Sequence, residues 1–219
     1  CPGPRRAVLR VDGVGCLSSE GRIASVTAAL LLGGASSRMG RDKAHLPLEG
    51  VAAATRLATM LGDLFEEVLL VGGDPPPDAP GRAVPDPEGP RSALRGLVGA
   101  LEAATAERVL VVATDLMTLS TPLLMALLAC PEADAVVPRS GARAHPLCAL
   151  YRREPVRSLA RQRLADGELA LMGLLEEVRV GYLEGSDLRA VDPDGSALFN
   201  VNTPDEFEQL RKRLHDPPH

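Results

Sequence analysis

The sequence predicts an α/β protein, a three-layer sandwich built on a mostly parallel sheet, and three observations lead there. Apolar runs of strand length alternate with segments of helical period from about residue 26 onward, and that alternation implies parallel strands with helices covering both faces. The apolar run from Ala28 to Leu32 breaks into Gly33-Gly34-Ala35-Ser36-Ser37-Arg38-Met39-Gly40-Arg41-Asp42-Lys43, and a helical pattern resumes near Val51. Strand, glycine-rich loop and helix in that order place backbone N–H groups where phosphates can be held. Finally, Gly33, Asp86 and Asp115 each fall just past a strand, and in such a sheet the carboxyl ends of the strands form the ligand-binding edge.

Taken in order, residues 1–25 carry Pro2, Pro4, Arg5 and Arg6, show no sustained period, and read as an extension outside the core, with a natural translation start near Val26. Residues 26–219 read as one domain of a length that suits a single α/β core. Strand 27–32 leads to the glycine loop, then helix 51–61 and strand 67–71, closed by Gly72-Gly73. The run 74–80 is a loop because Pro75, Pro76 and Pro77 can join neither a ladder nor a helix. Strand 82–85 and the loop Asp86-Pro87-Glu88-Gly89-Pro90 precede helix 92–104, whose Leu94, Leu97, Val98 and Leu101 keep helical spacing. Strand 108–113 runs into Thr114-Asp115, and Thr121-Pro122 opens helix 123–129. Strands are expected at 133–137, 147–151 and 178–182, and helices at 155–164 and 169–175. Thr203-Pro204-Asp205-Glu206 forms a capping box, with Thr203 at the N-cap and Glu206 at N3, opening a last helix to about Leu214. Met117, Met125 and Met172 read as core fillers.

Composition narrows the function. Hydrophobic residues make up 45% of the chain and aromatics 2%, with no Trp, so the core is Leu, Val and Ala and base-stacking recognition of single strands is disfavoured. A net charge of −5 gives no general attraction to nucleic acid or an anionic membrane, so a bound nucleotide would be held by local charge. No apolar run approaches the roughly 20 residues that span a bilayer. Cys1, Cys16, Cys130 and Cys148 make neither a CxxC nor a zinc spacing and read as reduced thiols in a cytoplasmic protein. His145 and Cys148 lie three apart but lack further ligands for a metal.

The chemistry concentrates in a few residues. The glycine loop is neither GxxxxGK[ST] nor GxGxxG, and alone is also compatible with a tight turn. Its lysine sharpens the reading. Of 24 Lys and Arg residues only Lys43 and Lys212 are lysines, which fits a compact point charge wanted at the loop, and Arg38 adds a second fixed cation. Asp115, at the mouth of a buried strand, can hold Mg²⁺ or act as a turn aspartate. Asp86 can accept from a base or ribose, or order its own loop. Arg143 and Arg152 are candidate anion contacts, although the arginines from 152 to 163 also suit a solvated helix face.

Leu32-Gly33-Gly34-Ala35-Ser36-Ser37-Arg38-Met39-Gly40-Arg41-Asp42-Lys43 resembles the LAGGxSxRMGxDK signature of the molybdenum cofactor guanylyltransferases, the MobA-type nucleotidyltransferases. Thr114-Asp115-Leu116 matches that family's metal-binding Asp after a strand, His145-Pro146-Leu147-Cys148-Ala149-Leu150-Tyr151 its PLxAxY segment, and Phe199-Asn200-Val201-Asn202-Thr203-Pro204-Asp205-Glu206 its NxNTPE ending. The resemblance implies a Rossmann-like nucleotidyltransferase fold of the GT-A-like kind and GMP transfer from GTP to the terminal phosphate of molybdopterin. It implies Leu31, Leu32, Gly33, Gly34 and Asp86 on the nucleotide, Lys43 on its phosphates, Asp115 on Mg²⁺ and the nucleotide, and Arg38, Lys43 and Asp115 as the catalytic set. Asn200 and Asn202 would line the molybdopterin side; as residues they also suit a turn before a capped helix. Partners would be GTP, molybdopterin, and molybdoenzyme chaperones or other cofactor-biosynthesis proteins. Three departures bear on base preference: Leu32 stands where the family has Ala, Asp115 is not soon followed by Pro, and Gly72-Gly73-Asp74 stands where some relatives carry Asn. The alternatives are cytidylyl or sugar-1-phosphate nucleotidyl transfer on the same fold, or a non-catalytic nucleotide-binding adaptor in cofactor delivery. Gly34 disfavours the cytidylyl reading, the Asn200–Glu206 ending the sugar reading, and an intact Lys43 and Asp115 the adaptor.

Overall fold

The computed structural model describes residues 21–33, 43–129 and 133–215. β1 (Ile23–Leu31) begins inside the segment 1–25 that the sequence set apart: Ile23 pairs with Phe65 and is buried in the core. Lys43–His45 forms a 3-10 turn, followed by the hairpin of β2 (Pro47–Leu48) and β3 (Val51–Ala52). The hairpin turns on Glu49 and Gly50, both left-handed at φ 51 and 84. It takes Val51 and Ala52 from the expected helix, so α1 is Ala53–Leu64. β4 (Phe65–Val71), β5 (Arg82–Val84), α2 (Ala93–Ala103) and β6 (Arg108–Ala113) follow their expected positions to within two residues. α3 (Thr121–Leu128) has Ser120, not Thr121, at its N-cap position.

β7 (Ala135–Ser140), β8 (Arg143–Ala144), β9 (Cys148–Arg152), α4 (Arg153–Asp166), α5 (Leu171–Glu176), β10 (Val180–Glu184), α6 (Gly185–Val191) and α7 (Pro204–His215) complete the order. The strand order is β10-β7-β9-β6-β1-β4-β5, with β8 beside β7. β1 runs parallel to β4 and β6, β4 to β5, and β7 to β10, whereas β9 opposes β6 and β7 and β8 opposes β7. The mostly parallel sheet therefore places the ends of β1, β4, β5, β6 and β7 along one edge.

Alternate residues of each strand feed two cores, as a pleat requires. Ala28, Leu30, Leu70, Leu110 and Val112 pack with Leu57 and Leu61 of α1 and Leu124 and Leu127 of α3. Ala29, Leu31, Val71, Val109 and Val111 pack with Leu97 and Leu101 of α2 and Val156 and Ala160 of α4. Those two layers of helix around one sheet are the sandwich. A third cluster, with Leu46, Leu48, Met117, Val201, Phe207 and Leu210, fastens α7 to the β2–β3 hairpin. Met117 and Met125 join cores, but Met172 is 47% exposed, because α5 turns Leu171, Leu174 and Leu175 inward instead.

The edge opposite the strand ends is tied by Glu67 of β4. Its carboxylate accepts from the Thr27 hydroxyl at 2.5 Å, from the Thr105 backbone N–H and hydroxyl at 3.0 and 2.7 Å, and from Arg82 at 3.0 Å. Burial pulls the Glu67 pKa up, but the hydrogen bonds from Thr27, Thr105 and Arg82 outweigh it and hold the carboxyl below its ordinary value. Glu67→Ala is expected to cost about 1.5–3 kcal/mol at neutral pH, since it leaves the hydrogen of the fully buried Thr27 hydroxyl without its acceptor, while the hydroxyl oxygen still accepts from Ala106 N at 3.2 Å. A depressed folded pKa contributes stability above the unfolded pKa and loses it as pH falls through the folded value. Thermal melts should therefore separate wild type from Glu67→Ala most at neutral pH and converge in acid; a gap constant with pH would contradict this.

Candidate active site

The strand-end edge carries a cavity of about 400 Å³, within the size range of small-ligand sites. Its walls include Leu31, Gly33, Lys43, Gly73, Asp86, Ser92, Arg95, Asp115, Leu147 and Asn202. Each reaches it for a local reason. β1 ends at Leu31, whose side chain faces α2 and the cavity, and Leu32 N donates to Val71 O at 2.9 Å. The Leu32 side chain turns the other way and is buried in the α1–α3 core. Its departure from the family's Ala therefore fills the core rather than pressing on the cavity, and it is not among the lining residues. Gly34 and Arg38 lie outside the described residues.

Asp86 enters from the loop after β5. Its Oδ2 accepts from Arg95 Nη2 at 2.7 Å, and Arg95 is aimed by the start of α2, where its backbone N–H donates to the Ser92 side chain at 3.1 Å. Across the carboxylate lies Gly72, at φ +69; a Cβ there would sit 2.7 Å from Asp86 Oδ1. Only glycine lets the chain turn after β4 this close to the carboxylate. Asp86 thus both orders its loop and borders the cavity. Sequence spacing alone does not single out Arg95. Its signal was the Ser92/Arg95 pair in the first turn of a helix starting at the strand-end edge.

Asp115 sits one residue past Thr114 at the end of β6, as expected. Its Oδ2 accepts from Asn200 Nδ2 at 2.9 Å and its backbone carbonyl from Val201 N at 2.9 Å, while Oδ1 is buried without a hydrogen-bond partner among the described residues. Lys43 opens the 3-10 turn, and its Nζ donates to Asn202 Oδ1 at 2.8 Å. The two asparagines of one segment therefore hold the carboxylate and the ammonium of two distant segments. That segment is fixed by the capping box. Glu206 accepts from Asn202 N and Thr203 N at 2.7 and 2.9 Å and donates its own backbone N–H to the Thr203 side chain at 3.2 Å. The Asn202 and Thr203 N–H groups hold the Glu206 carboxyl below its ordinary pKa, so it is ionised where it caps.

The remaining candidates separate cleanly. Arg152 lies at the opposite sheet edge, paired with Glu107 at 3.2 Å and Asp134 at 3.8 Å. Cys148 is fully buried, and burial pushes its thiol up to about 12, so it offers no thiolate. Burial, and then Arg143, depress the pKa of His145. Among the described residues no group of three or more His, Cys, Asp or Glu could hold a metal ion. A hard cation here would take Asp115 as its protein ligand, with phosphate and water oxygens for the rest.

A carboxylate and a lysine held in one cavity at the strand ends, in a chain whose first strand runs into a glycine-rich sequence, define a nucleotide-binding α/β protein of the nucleotidyltransferase class. The family model of the MobA-like NTP transferase domain matches residues 28–180, and the chain belongs to that family. A Pelotomaculum thermopropionicum protein named "Probable molybdenum cofactor guanylyltransferase" is 33% identical, over 84% of this chain and 91% of its own length. Among solved structures, molybdopterin-guanine dinucleotide biosynthesis protein A from Archaeoglobus fulgidus superposes with a TM-score of 0.75 at 20% identity, covering 86% of this chain and 98% of that one. The 2-C-methyl-D-erythritol 4-phosphate cytidylyltransferase from Thermus thermophilus gives 0.64 at 18% identity, covering 86% and 98%. Those two share the fold.

Proposed function

We propose that this protein is a Mg²⁺-dependent molybdenum cofactor guanylyltransferase, transferring GMP from GTP to the terminal phosphate of molybdopterin and releasing pyrophosphate. The observation that carries the reading is Asp115: a carboxylate with one oxygen buried and, among the described residues, without a hydrogen-bond partner, lining the same cavity as a lysine. Such an oxygen is costly unless a cation completes it, so the residues present fit Mg²⁺. When bound, Mg²⁺ supplies charge neutralisation at the phosphates.

The chain's own residues account for the rest. The cavity between Leu31, Val71 and α2 takes the nucleoside, with Asp86 and Arg95 presenting an acceptor and donors to the base or ribose. Lys43 faces the phosphates and, with Arg38, balances charge on the departing pyrophosphate. An oxygen of the acceptor phosphate forms a bond to the α-phosphorus as the bond to the bridging oxygen breaks, and that electron pair leaves with pyrophosphate. The attacking oxygen is already ionised, so no general base is required, and the site contributes alignment and electrostatics. This is consistent with a buried His145 and an inert Cys148 standing aside. GTP as substrate implies a cytoplasmic reaction, and the product would pass to cofactor-delivery proteins. Among the described residues no helix is long and apolar enough to cross a membrane.

Calorimetry with GTP, CTP and ATP, each with and without Mg²⁺, tests the reading. GTP is expected to bind at least about 10-fold tighter than CTP, the discrimination that one or two base-edge hydrogen bonds supply, and only with Mg²⁺ at full affinity. A CTP preference would move the protein to cytidylyl transfer on the same fold. Equal, metal-independent binding of all three would favour the adaptor.

A further inference from the structure

We infer that Arg143 is the binding residue for the acceptor's terminal phosphate, and that Asn200 positions it against Asp115; this rests on the reading that the acceptor is a phosphomonoester. The argument begins with placement. β7 and β8 form a tight hairpin, Ser140 paired with Arg143 and Arg139 with Ala144, turning at Gly141 with φ 60. The hairpin stands at the carboxyl end of β7, on the same sheet edge as Asp115. In the sheet order, β6 with Asp115 lies between β1, β4 and β5, whose ends carry most of the cavity wall, and β9, β7 and β8; Leu147, just before β9, reaches the cavity from that flank, and Arg143 does not line it. Arg143 therefore flanks the metal-ligating carboxylate on the side away from the nucleotide.

In-line transfer requires the attacking phosphate to approach the α-phosphorus opposite the leaving pyrophosphate. Lys43 lines the nucleotide cavity together with Leu31 and Gly33 at the end of β1, so the acceptor comes from the β9–β7 flank, where it meets Arg143.

The connection is direct. Arg143 Nη2 donates to Asn200 Oδ1 at 3.2 Å, and Asn200 Nδ2 donates to Asp115 Oδ2 at 2.9 Å. With a cation on one side and a carboxylate on the other, the amide has only one favourable orientation. The guanidinium is thus held one amide away from Asp115.

Its charge is also uncommitted. Arg139, on the same hairpin, pairs with Glu184 at 2.5 Å and stacks on the Tyr182 ring at 4.0 Å. Arg95 pairs with Asp86, and Arg152 with Glu107. Arg143 is exposed and makes no ion pair among the described residues; its partner is a neutral amide. Its remaining N–H groups suit the bidentate binding of a phosphate dianion.

Equilibrium binding of molybdopterin and, separately, of GTP to wild type, Arg143→Ala and Arg161→Ala tests this. Arg161 lies on α4 and pairs with Glu102, so it serves as the control arginine. Arg143→Ala is expected to weaken molybdopterin binding about 10- to 100-fold, the loss of charge-assisted hydrogen bonds, and to raise the acceptor KM in step. GTP affinity should stay within about twofold, and Arg161→Ala should match wild type in both. Unchanged molybdopterin binding in Arg143→Ala would overturn this assignment alone. Equal losses for GTP and molybdopterin would also overturn it, by making Arg143 structural or nucleotide-directed. A wild type that binds GTP but not molybdopterin would overturn the acceptor reading and this assignment with it.

Discussion

Asp115→Asn is expected to lower kcat by about 10²–10³-fold, the loss found when a single preorganised electrostatic contact to the reacting group is removed, without lowering the melting temperature. The two halves have one cause. In the folded chain Asp115 is a partly buried carboxylate with one oxygen bonded to Asn200 and the other buried with no partner among the described residues. An uncompensated polar oxygen costs stability in the free protein. Asparagine keeps the shape and an acceptor oxygen for Asn200 and puts an uncharged amide nitrogen in the unpartnered position, so the fold is not weakened while the affinity for a hard cation is lost. Sites that store such costs trade stability for activity. Steady-state pyrophosphate release at saturating Mg²⁺, together with a thermal melt, checks both. Full turnover would remove Asp115 from the metal role. A marked fall in melting temperature would show that the carboxylate supports the fold and that its unpartnered oxygen is not a prepared ligand.

Much of the frame was legible because it is local. Strand 108–113 is legible to the residue: five apolar positions, Val109 to Ala113, entered through Arg108 and followed by Thr114-Asp115, leave little choice of ends. The capping box at Thr203 was equally plain, since its chemistry is contained in four residues. Other features escaped for physical reasons. An apolar run reads the same in either direction, so nothing in 147–151 shows that β9 runs against its neighbours. Two-residue strands such as β8 have no period to detect, and the hairpin that shortens α1 depends on left-handed Glu49 and Gly50. Asp115 was placed at its strand mouth by position alone, but its partner Asn200 lies 85 residues on, and only the sheet order brings them together. The family resemblance puts both asparagines on the acceptor side. In the structure their side chains meet Asp115 and Lys43, which sequence spacing does not reveal.

Lys43→Ala is expected to lower kcat/KM for GTP by about 10²–10³-fold, through the loss of fixed positive charge at the phosphates, and Asn202→Ala by about 10-fold, the value of one hydrogen bond to a charged group. The double variant should resemble Lys43→Ala alone. Lysine carries its charge on a flexible four-carbon stem, and ordering that stem costs conformational entropy. Asn202 orders it in advance through the 2.8 Å bond between residues 159 apart in sequence. Asn202 is in turn held by Glu206, so the box that begins α7 also sets the direction of the ammonium. If Asn202 acts only through Lys43, removing the lysine first leaves it nothing to orient, and the two effects cannot add. Steady-state kinetics on the two single variants and the double variant decide the point. Additive losses would mean that Asn202 contacts the substrate on its own account. A coupled result would make the terminal helix a working part of the phosphate site, although its segment lies far in sequence from the glycine loop.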